Sequence, residues 1–569
     1  MVVTNPLFRT RDVQEAVNSL SFAGVEDRGA IFTKREVVDF ILDLVGYSDK
    51  NDLSETVLLE PSLGDGDFLF AAVERLLNSF SKKDKLRDLK KIKSSIRGVE
   101  LHSETFNKTR ARLIKLLESF GINAATAEEI CSEWLINDDF LLTDLSCKFS
   151  HVVGNPPYVR QEAVPRALMA EYRQRYKTIY DRADLYVPFI EKGLDVLSRD
   201  GSLGYICSEK KKKNQYGAPL RKMISEDFSL KYHVDMAGSA AFHTDVSAYT
   251  AVTVISRQKN NAARIAKKPV IDRIFLKRLA EKLLDDNYID SEVRRLNNVP
   301  KHGLPWLLDG DSCSALIESL EKRFPTLEEQ GCQIGIGVAT GCDSVYIKRL
   351  DDLPVEKNRK LPLITTADIV GGTIKWLGTG IVNPFEDDGS AVDLKKYPKL
   401  KDFLLTHKEV LLKRSVAARN SKFWYRTIDK ITKSLTSKPK LLIPDINLTL
   451  NVVYDEGKYY PHHNLYYVVS DVWNIRALQT ILKSSVAHSF IAAYSTKMRG
   501  NYLRFQAQHL RRIRIPKWND ISLDLRRKLI NNADSNDIKE INKLVYEAYS
   551  LTVPECAMLD SVFKSSIKA

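Results

Sequence analysis

Short apolar runs alternate with segments of helical periodicity along the first 160 residues of the chain. The helical pattern covers residues 69–80 and 103–119. Strands that are separated by helices pair in parallel, because each helix returns the chain to the same end of the sheet. The pattern therefore predicts an α/β fold with a parallel sheet. The four runs predicted as strands are Thr56–Leu59, Ile96–Val99, Trp134–Ile136 and His151–Val153.

Another helix is predicted over 31–47, where apolar residues recur at helical spacing. Thr33 and Glu36 have the spacing of a capping box, so Thr33 is the predicted N-cap of this helix. The lysine-rich stretch 81–93 is predicted to be a solvated helix or connector. The α/β pattern then continues in one helix and two strands, at 184–198, 203–207 and 251–255.

The character of the sequence changes beyond residue 258. Residues 258–305 are polar and basic, which predicts a domain boundary near their end. From Gly335 onward, strand-like pieces alternate with turns, as in a mixed α+β domain; these pieces are Val338, 344–347, 441–443 and 466–469. Leu and Ile recur at helical spacing over 523–549. The predicted parts are an α/β domain, a mixed α+β domain and a helical segment, at 1–305, 306–518 and 519–569.

Composition narrows the class of protein. Lys and Arg number 86 against 73 Asp and Glu, a net charge of +13. This charge suits a polyanionic partner such as nucleic acid, although a solvated basic surface has the same composition. The 7 cysteines include no CxxC pair, so neither a zinc site nor a disulfide framework is expected. With no signal sequence and no run of about 18 apolar residues, we expect a cytoplasmic protein that does not span a membrane.

The tetrapeptide Asn155-Pro156-Pro157-Tyr158 directly follows the fourth predicted strand. Two prolines stiffen the loop at the carboxyl end of that strand, where open α/β sheets bind ligands. The Asn155 side-chain oxygen and the Pro156 carbonyl would form two acceptors for an amino group with two hydrogens. Tyr158 would offer a flat face for stacking. The alternative is a Pro-Pro turn that only ends a strand.

Earlier strand ends carry further polar residues. Glu60 directly follows the first predicted strand, and Gly64 and Gly66 allow the tight turn that a nucleoside cofactor requires. Glu100 ends the second strand, where an acid can bind both hydroxyls of a ribose. Asp139 follows the third strand. Each acid alone is more often a helix cap or a turn residue, but the series favours a nucleoside site at one sheet edge.

Together these motifs resemble the N6-adenine DNA methyltransferases of type II restriction-modification systems, and the resemblance covers most of the chain. It implies a Rossmann-like class I methyltransferase domain followed by a mixed α+β target-recognition domain and a helical tail. It also implies S-adenosyl-L-methionine as cofactor, double-stranded DNA as substrate and a restriction endonuclease encoded separately as a possible partner. Catalysis would need neither a cysteine nucleophile nor a metal, because aligning the amino group with the methyl donor is the main task.

The resemblance assigns roles to individual residues. Asn155, Pro156, Pro157 and Tyr158 match the catalytic motif. Tyr158 and Phe242 would stack on a target adenine that is flipped out of the duplex. Phe32 and Thr33 resemble the motif over the methionine part of the cofactor, and Asp139 and Phe140 resemble the pair that holds the cofactor adenine. The full set implied for cofactor binding is Phe32, Thr33, Glu60, Gly64, Gly66, Glu100, Asp139 and Phe140.

In the second half, 337–341, 345–347 and 441–446 resemble the recognition domain of these enzymes. Residues 411–440 contain nine Lys or Arg against one acid, and 497–517 contain seven and no acid. Basic stretches with interleaved aromatic residues suit contacts with phosphates and bases, although buried aromatics flanked by solvated lysines have the same pattern. The candidate DNA-binding residues are Lys422, Trp424, Arg426, Arg499 and Arg504.

The sequence also departs from the family pattern. Lys34 stands where relatives often have proline. The run Lys210–Lys213 lies where relatives tend to have a mixed polar and aromatic segment. These lysines would contact phosphate, form a solvated loop or weaken a surface near the target base, and the solvated loop is slightly preferred.

Four other functions compete with DNA methylation. The tetrapeptide also serves methyltransferases of RNA amino groups and of protein glutamine, and a relative without turnover would only bind DNA. Asp200, Glu209 and Lys211 fit a nuclease D-x8-E-x-K pattern, which a lysine run produces readily by chance. Competition between matched DNA and RNA substrates for label from the cofactor would separate DNA methylation from RNA methylation.

Overall fold

The structure is a computed structural model that describes most of the chain. The described residues are 9–22, 24, 31–82, 88–244, 250–258, 262–297, 299–306, 308, 312–495 and 502–567, without the side chains of 210, 312–314 and 565–567. The chain forms two compact units, Met1–Gly310 and Asp311–Ala569. The division into three parts stays a prediction.

A sheet of nine strands forms the centre of the first unit. The strands are β1 (Leu58–Glu60), β2 (Ile96–Glu100), β3 (Leu135–Asn137), β4 (Phe149–Gly154), β5 (Leu197–Ser208), β6 (Ser229–Asp235), β7 (Thr250–Ser256), β8 (Ala263–Lys267) and β9 (Arg294–Leu296). Their order in space is β3-β2-β1-β4-β5-β7-β6-β8-β9. The first five pair in parallel, and β7 is antiparallel to both of its neighbours. The predicted α/β class is therefore confirmed.

Helices connect these strands and bury their apolar faces against the sheet. The helices are α1 (Arg11–Ser21), α2 (Arg35–Leu44), α3 (Asp67–Lys82), α4 (Leu89–Ser94), α5 (Ser103–Ser119), α6 (Ala124–Trp134), α7 (Arg166–Arg175), α8 (Tyr186–Asp195), α9 (Ala218–Asp227) and α10 (Arg273–Leu284). Every residue of β1 and β7 is buried, as expected for central strands between layers of helices. The carboxyl ends of β1, β2 and β4 consequently meet at one edge of the sheet.

The predicted start of the second helix is wrong in one respect. Thr33 is not its N-cap: Lys34 occupies that position without a side-chain hydrogen bond. Thr33 instead forms an isolated β-bridge with Phe242, and its N–H donates to the Asp67 carboxylate at 2.8 Å. A tertiary contact therefore replaces the local capping box, because the backbone of Thr33 is held by residues far along the chain.

The second unit contains two four-stranded sheets and two short two-stranded sheets among its described residues. Its strands are β10 (Cys332–Ile336), β11 (Ile347–Arg349), β12 (Lys360–Ile364), β13 (Ile369–Val370), β14 (Thr373–Ile374), β15 (Thr379–Val382), β16 (Lys440–Pro444), β17 (Ile446–Asn447), β18 (Val453–Asp455), β19 (Tyr460–Pro461), β20 (Leu465–Ser470) and β21 (Leu503–Arg504). The predicted strands at 441–443 and 466–469 are confirmed. The strand predicted at 344–347 is wrong, because most of it is helical.

Eleven helices complete the described part of the second unit. They are α11 (Ser312–Arg323), α12 (Asp343–Tyr346), α13 (Pro398–Thr406), α14 (Lys408–Leu412), α15 (Ser415–Arg419), α16 (Ile475–Lys483), α17 (Ser485–Tyr494), α18 (Ala507–Leu510), α19 (Leu523–Asn531), α20 (Ile538–Ala548) and α21 (Val553–Ile567). The predicted helical character of 523–549 is confirmed. In the part of the chain that the structure describes, no helix combines the length and the apolar character needed to cross a membrane.

Candidate active site

A cavity of the first unit opens at the edge where β1, β2 and β4 end. Nine of the predicted site residues line this cavity: Phe32, Thr33, Glu60, Gly64, Glu100, Asp139, Phe140, Asn155 and Pro157. The remaining predicted residues of this unit do not line it: Gly66, Pro156, Tyr158 and Phe242. The fold thus brings residues that are more than 120 positions apart to one site.

Asn155 lies immediately after β4. Hydrogen bonds hold only the nitrogen end of its side-chain amide. Its Nδ2 donates to the Ile31 carbonyl at 2.8 Å and lies 3.3 Å from the Thr33 hydroxyl. Because a carbonyl can only accept, these contacts determine which way the amide is oriented. Its Oδ1 is buried and has no hydrogen-bond partner among the described residues. A buried acceptor without a partner is costly, so the site is complementary to a donor group.

The rest of the tetrapeptide is anchored to neighbouring segments. Ser62 donates from its hydroxyl to the Asn155 carbonyl at 3.0 Å, and Leu185 donates its N–H to the Val159 carbonyl at 2.9 Å. Tyr158 is half-buried, and its hydroxyl lies 3.5 Å from the Ile206 carbonyl near the end of β5. Burial raises the pKa of the Tyr158 phenol well above its ordinary value, so the ring stays neutral.

The glycine turn after β1 is held by Glu100. Gly64 and Gly66 have φ of 50° and 85°, and a Cβ on Gly66 would lie 2.5 Å from the Phe70 ring. The Gly64 N–H donates to Glu100 Oε2 at 2.8 Å, while the N–H of His102 donates to Oε1 at 2.8 Å. Glu100 therefore fixes the turn through both oxygens.

Glu60 is the most deeply buried acid of the cavity. It is 1% exposed, and its Oε2 has no partner among the described residues. Burial, with the nearby Asp67 and Glu100, raises its pKa well above the ordinary value, against a hydrogen bond from the Leu69 backbone. Burial also raises the pKa of Asp67. Four carboxyl groups line this cavity, those of Glu60, Asp67, Glu100 and Asp139. They favour a cationic ligand, which would lower the cost of ionising Glu60.

Asp139 and Phe140 form another wall of the same cavity. Asp139 Oδ1 accepts from the N–H of Leu141 at 2.7 Å, and its other oxygen accepts from the Tyr172 hydroxyl. Burial raises the pKa of Asp139. The Phe140 ring packs on Phe189 with centroids 5.0 Å apart. Sequence reasoning missed Tyr172 and Asp67, because their contacts with the site residues are visible only in the folded chain.

Phe242 is 7% exposed and belongs to the hydrophobic core of the first unit. Its backbone pairs with Thr33, and the next N–H, that of His243, donates to the Phe32 carbonyl at 3.2 Å. This segment therefore supports the Phe32–Thr33 wall of the cavity. The stacking roles of Phe242 and Tyr158 stay predictions.

The preferred interpretation of the lysine run as a solvated loop is wrong for two of its members. Lys211 is 2% exposed, with its ammonium 3.0 Å from Cys207 Sγ, and Lys212 is 5% exposed and lies 3.2 Å from Glu209. The buried Arg221 fixes the loop by donating to the Lys211 carbonyl at 2.5 Å. Both ammonium groups therefore contact residues three or four positions earlier in the chain, and the fold buries charges that the sequence pattern places in water.

Two residues of the nuclease pattern, Glu209 and Lys211, contact different partners. Glu209 binds His233 Nε2 at 2.9 Å and Lys212, while Lys211 is bound to Cys207 and the Ser208 carbonyl. Burial raises the pKa of Glu209, but His233 and Lys212 outweigh it and lower the value to about 2. These contacts are those of a structural ion-pair cluster.

The candidate DNA-binding residues lie in different environments in the second unit. Lys422 is exposed, with its ammonium 5.3 Å from the Phe423 ring centroid. Trp424 and Arg426 are half-buried, and Arg504 pairs with Asp445. Arg499 lies outside the described residues. Their contacts with DNA stay predictions.

Known protein families match a part of each unit of the chain. Residues 50–242 match the model of the Eco57I restriction-modification methylase, and residues 404–515 match that of the TaqI-like C-terminal specificity domain. The DNA-bound Type IIL restriction-modification enzyme MmeI has a similar fold, with a TM-score of 0.56 and 12% identity. That likeness covers 94% of this chain and 76% of that one.

Two curated relatives match nearly from end to end. The Type II methyltransferase M.PaeR7I of Pseudomonas aeruginosa is 49% identical over 94% of this chain and 94% of its own. The Type II methyltransferase M.XhoI of Xanthomonas vasicola is 46% identical over 93% of this chain and 98% of its own. Identity at this level over nearly the full length shows the family. The chain belongs to the Type II methyltransferases of restriction-modification systems.

Proposed function

We propose that this protein transfers a methyl group from S-adenosyl-L-methionine to the N6 amino group of an adenine in double-stranded DNA. The observation that supports this most strongly is the buried, unpartnered Oδ1 of Asn155 at the cavity. An exocyclic amino group donates the hydrogen bond that this atom lacks. In a restriction-modification system the methyl group would protect the DNA from a restriction endonuclease encoded separately.

The residues of the cavity fit the proposed cofactor. Glu100 would accept from the ribose hydroxyls, and Asp139 would accept from the adenine amino group of the cofactor. Glu60, with its unpartnered Oε2, would face positive charge. The cofactor supplies an activated methyl on a sulfonium, so the protein's task is alignment.

Asn155 and Pro156 would prepare the nucleophile. The lone pair of the adenine amino group is delocalised into the ring, which makes it a weak nucleophile. Acceptance of both N–H bonds, by Asn155 Oδ1 and the Pro156 carbonyl, would favour a more tetrahedral nitrogen and stabilise the charge that develops on it. The bond from Asn155 Nδ2 to Ile31 keeps the acceptor in place without the substrate.

The target base would have to leave the duplex to reach this edge. Base flipping costs a few kcal/mol. Stacking on Tyr158, and on Phe242 after a local rearrangement, would return about 1 to 3 kcal/mol per base. The match to a specificity domain and the basic stretches of the second unit support DNA as the partner.

A transfer assay with labelled cofactor tests the proposal. The purified chain is offered duplex DNA, a matched RNA duplex and a glutamine peptide, and label is expected only in DNA. Asn155→Ala is expected to lower the rate of transfer by about 10² to 10³ while cofactor binding survives, with the exposed Glu118→Ala as the folding control. Label in RNA or peptide instead would contradict the proposed substrate, and no label in any acceptor would indicate a relative without turnover.

A further inference from the structure

Three potential metal ligands meet in the second unit, in the described part of the chain. Asp343 begins α12, and His462 and His463 follow β19. The ligand atoms of the three side chains lie within 4.8 Å of one another. His462 Nε2 is 3.3 Å from Asp343 Oδ2 and 3.0 Å from His463 Nδ1. Sequence reasoning predicted no metal and missed this group, because 119 positions separate Asp343 from His462.

Hydrogen bonds alone do not satisfy this arrangement. His462 Nε2 faces a carboxylate oxygen and an imidazole nitrogen at the same time. If His463 donates to Nε2, then Nε2 is an acceptor that faces the acceptor Asp343 Oδ2. If Nε2 is protonated, its single hydrogen must serve two acceptors. A cation placed between the three atoms would bind a lone pair from each of them.

The distances suit a tetrahedral divalent ion. Zn²⁺ binds nitrogen and oxygen ligands at about 2.0 to 2.2 Å, so two ligand atoms of a tetrahedron are separated by roughly 3.3 Å. The two measured separations, 3.0 and 3.3 Å, agree with this value. Two imidazoles with one carboxylate are a donor set typical of Zn²⁺, and the exposure of Asp343 and His463 leaves room for water as a fourth ligand.

The backbone holds these ligands in place. The N–H of His462 donates to the Ile364 carbonyl at 2.9 Å, and that of His463 donates to the Val338 carbonyl at 3.1 Å. The Thr340 hydroxyl donates to the other oxygen of Asp343. Two segments, 338–343 and 462–463, therefore present their ligands from fixed positions, as a preorganised metal site requires.

We propose that Asp343, His462 and His463 bind one divalent transition-metal ion of the zinc type. The ion joins the 338–343 segment to the 462–463 turn and so stabilises the second unit. This site is separate from the methyl-transfer site and does not depend on the proposed reaction. Its role is structural: it is expected to raise the thermal stability of the protein.

Metal titration of the full chain tests the proposal. The protein is prepared without a histidine tag, stripped with a chelator and titrated with Zn²⁺ by calorimetry, and with Co²⁺ by absorption. The expected results are about one equivalent per chain, visible Co²⁺ bands of a four-coordinate site and a higher melting temperature with Zn²⁺.

Two variants assign the binding to these residues. His463→Ala and Asp343→Asn change exposed side chains and are expected to abolish stoichiometric binding and the thermal shift, with folding checked by circular dichroism. His302→Asn is the control, because His302 is exposed, has a positive φ of 58° that Asn tolerates, and lies in the other unit. Absence of stoichiometric binding by the native chain, or binding that survives in both variants, would overturn the proposal.

Discussion

Replacement of Glu60 by Gln is predicted to stabilise the free protein and to weaken cofactor binding. Burial and two neighbouring acids raise the pKa of Glu60 well above its ordinary value of 4.5. A carboxyl with a raised folded pKa stabilises the fold fully below the unfolded pKa, and this contribution is lost as pH rises through the folded pKa. Gln has nearly the same shape and does not titrate. The variant therefore does not lose this stability as the pH rises.

The size of this effect on the free energy of unfolding follows from one bound proton. Between the unfolded and the folded pKa, the folded state binds one proton more than the unfolded state, so the wild type loses up to about 1.4 kcal/mol per pH unit there. The stability advantage of Glu60→Gln is expected to widen with pH at that rate. Calorimetric melting of the cofactor-free proteins between pH 5 and 8 measures it.

Cofactor binding is expected to favour the wild type over Glu60→Gln. A bound sulfonium favours ionised Glu60, so binding releases a proton and affinity for S-adenosyl-L-methionine rises up to about tenfold per pH unit below the pKa of the free protein. Titration in buffers of different ionisation enthalpy counts that proton. Glu60→Gln is expected to bind with a flatter pH profile, and the uncharged thioether product is the control ligand. Equal pH slopes in both proteins would refute the reasoning.

Three further predictions concern the same site and the DNA contacts. Asn155→Ala is expected to lower kcat by about 10² to 10³, the cost of losing one preorganised hydrogen-bonding group, in single-turnover assays. Tyr158→Phe is expected to keep most activity, because its hydroxyl makes only a 3.5 Å contact, whereas Tyr158→Ala loses about 1 to 3 kcal/mol of stacking on a base analogue whose fluorescence reports flipping. DNA affinity is expected to fall roughly a thousandfold between 50 and 200 mM salt if about six phosphates are contacted, and a flat salt response in fluorescence anisotropy would contradict this.

Local patterns predicted the elements whose ends depend on local contacts. Helix α5 has the predicted bounds, 103–119, because its apolar face and His102, which caps its first turn, are encoded nearby. Thr33 fails as a cap because Phe242, distant in sequence, pairs with its backbone. The ammonium groups of Lys211 and Lys212 contact nearby residues, but the backbone of this loop is held by Arg221 and Trp306, which lie farther along the chain, and the fold buries it.

In the candidate site, too, some features could be predicted from the sequence and others require the fold. The motif residues could be predicted, since each lies at a strand end and the parallel sheet brings those ends together. The unpartnered state of Asn155 Oδ1 could not, because it depends on the Ile31 carbonyl, 124 positions away, holding the other end of the amide. Tyr172 and the three ligands of the proposed metal site likewise require the fold.

Expression in a host without adenine methylation, followed by base-resolution mapping and nucleoside mass spectrometry of its DNA, tests methyl transfer to adenine most directly. We expect N6-methyladenine at one short sequence throughout the genome, and far less of it with Asn155→Ala. Methylated cytosine in place of methylated adenine, or DNA that stays unmodified although the protein is folded and binds the cofactor, would contradict it.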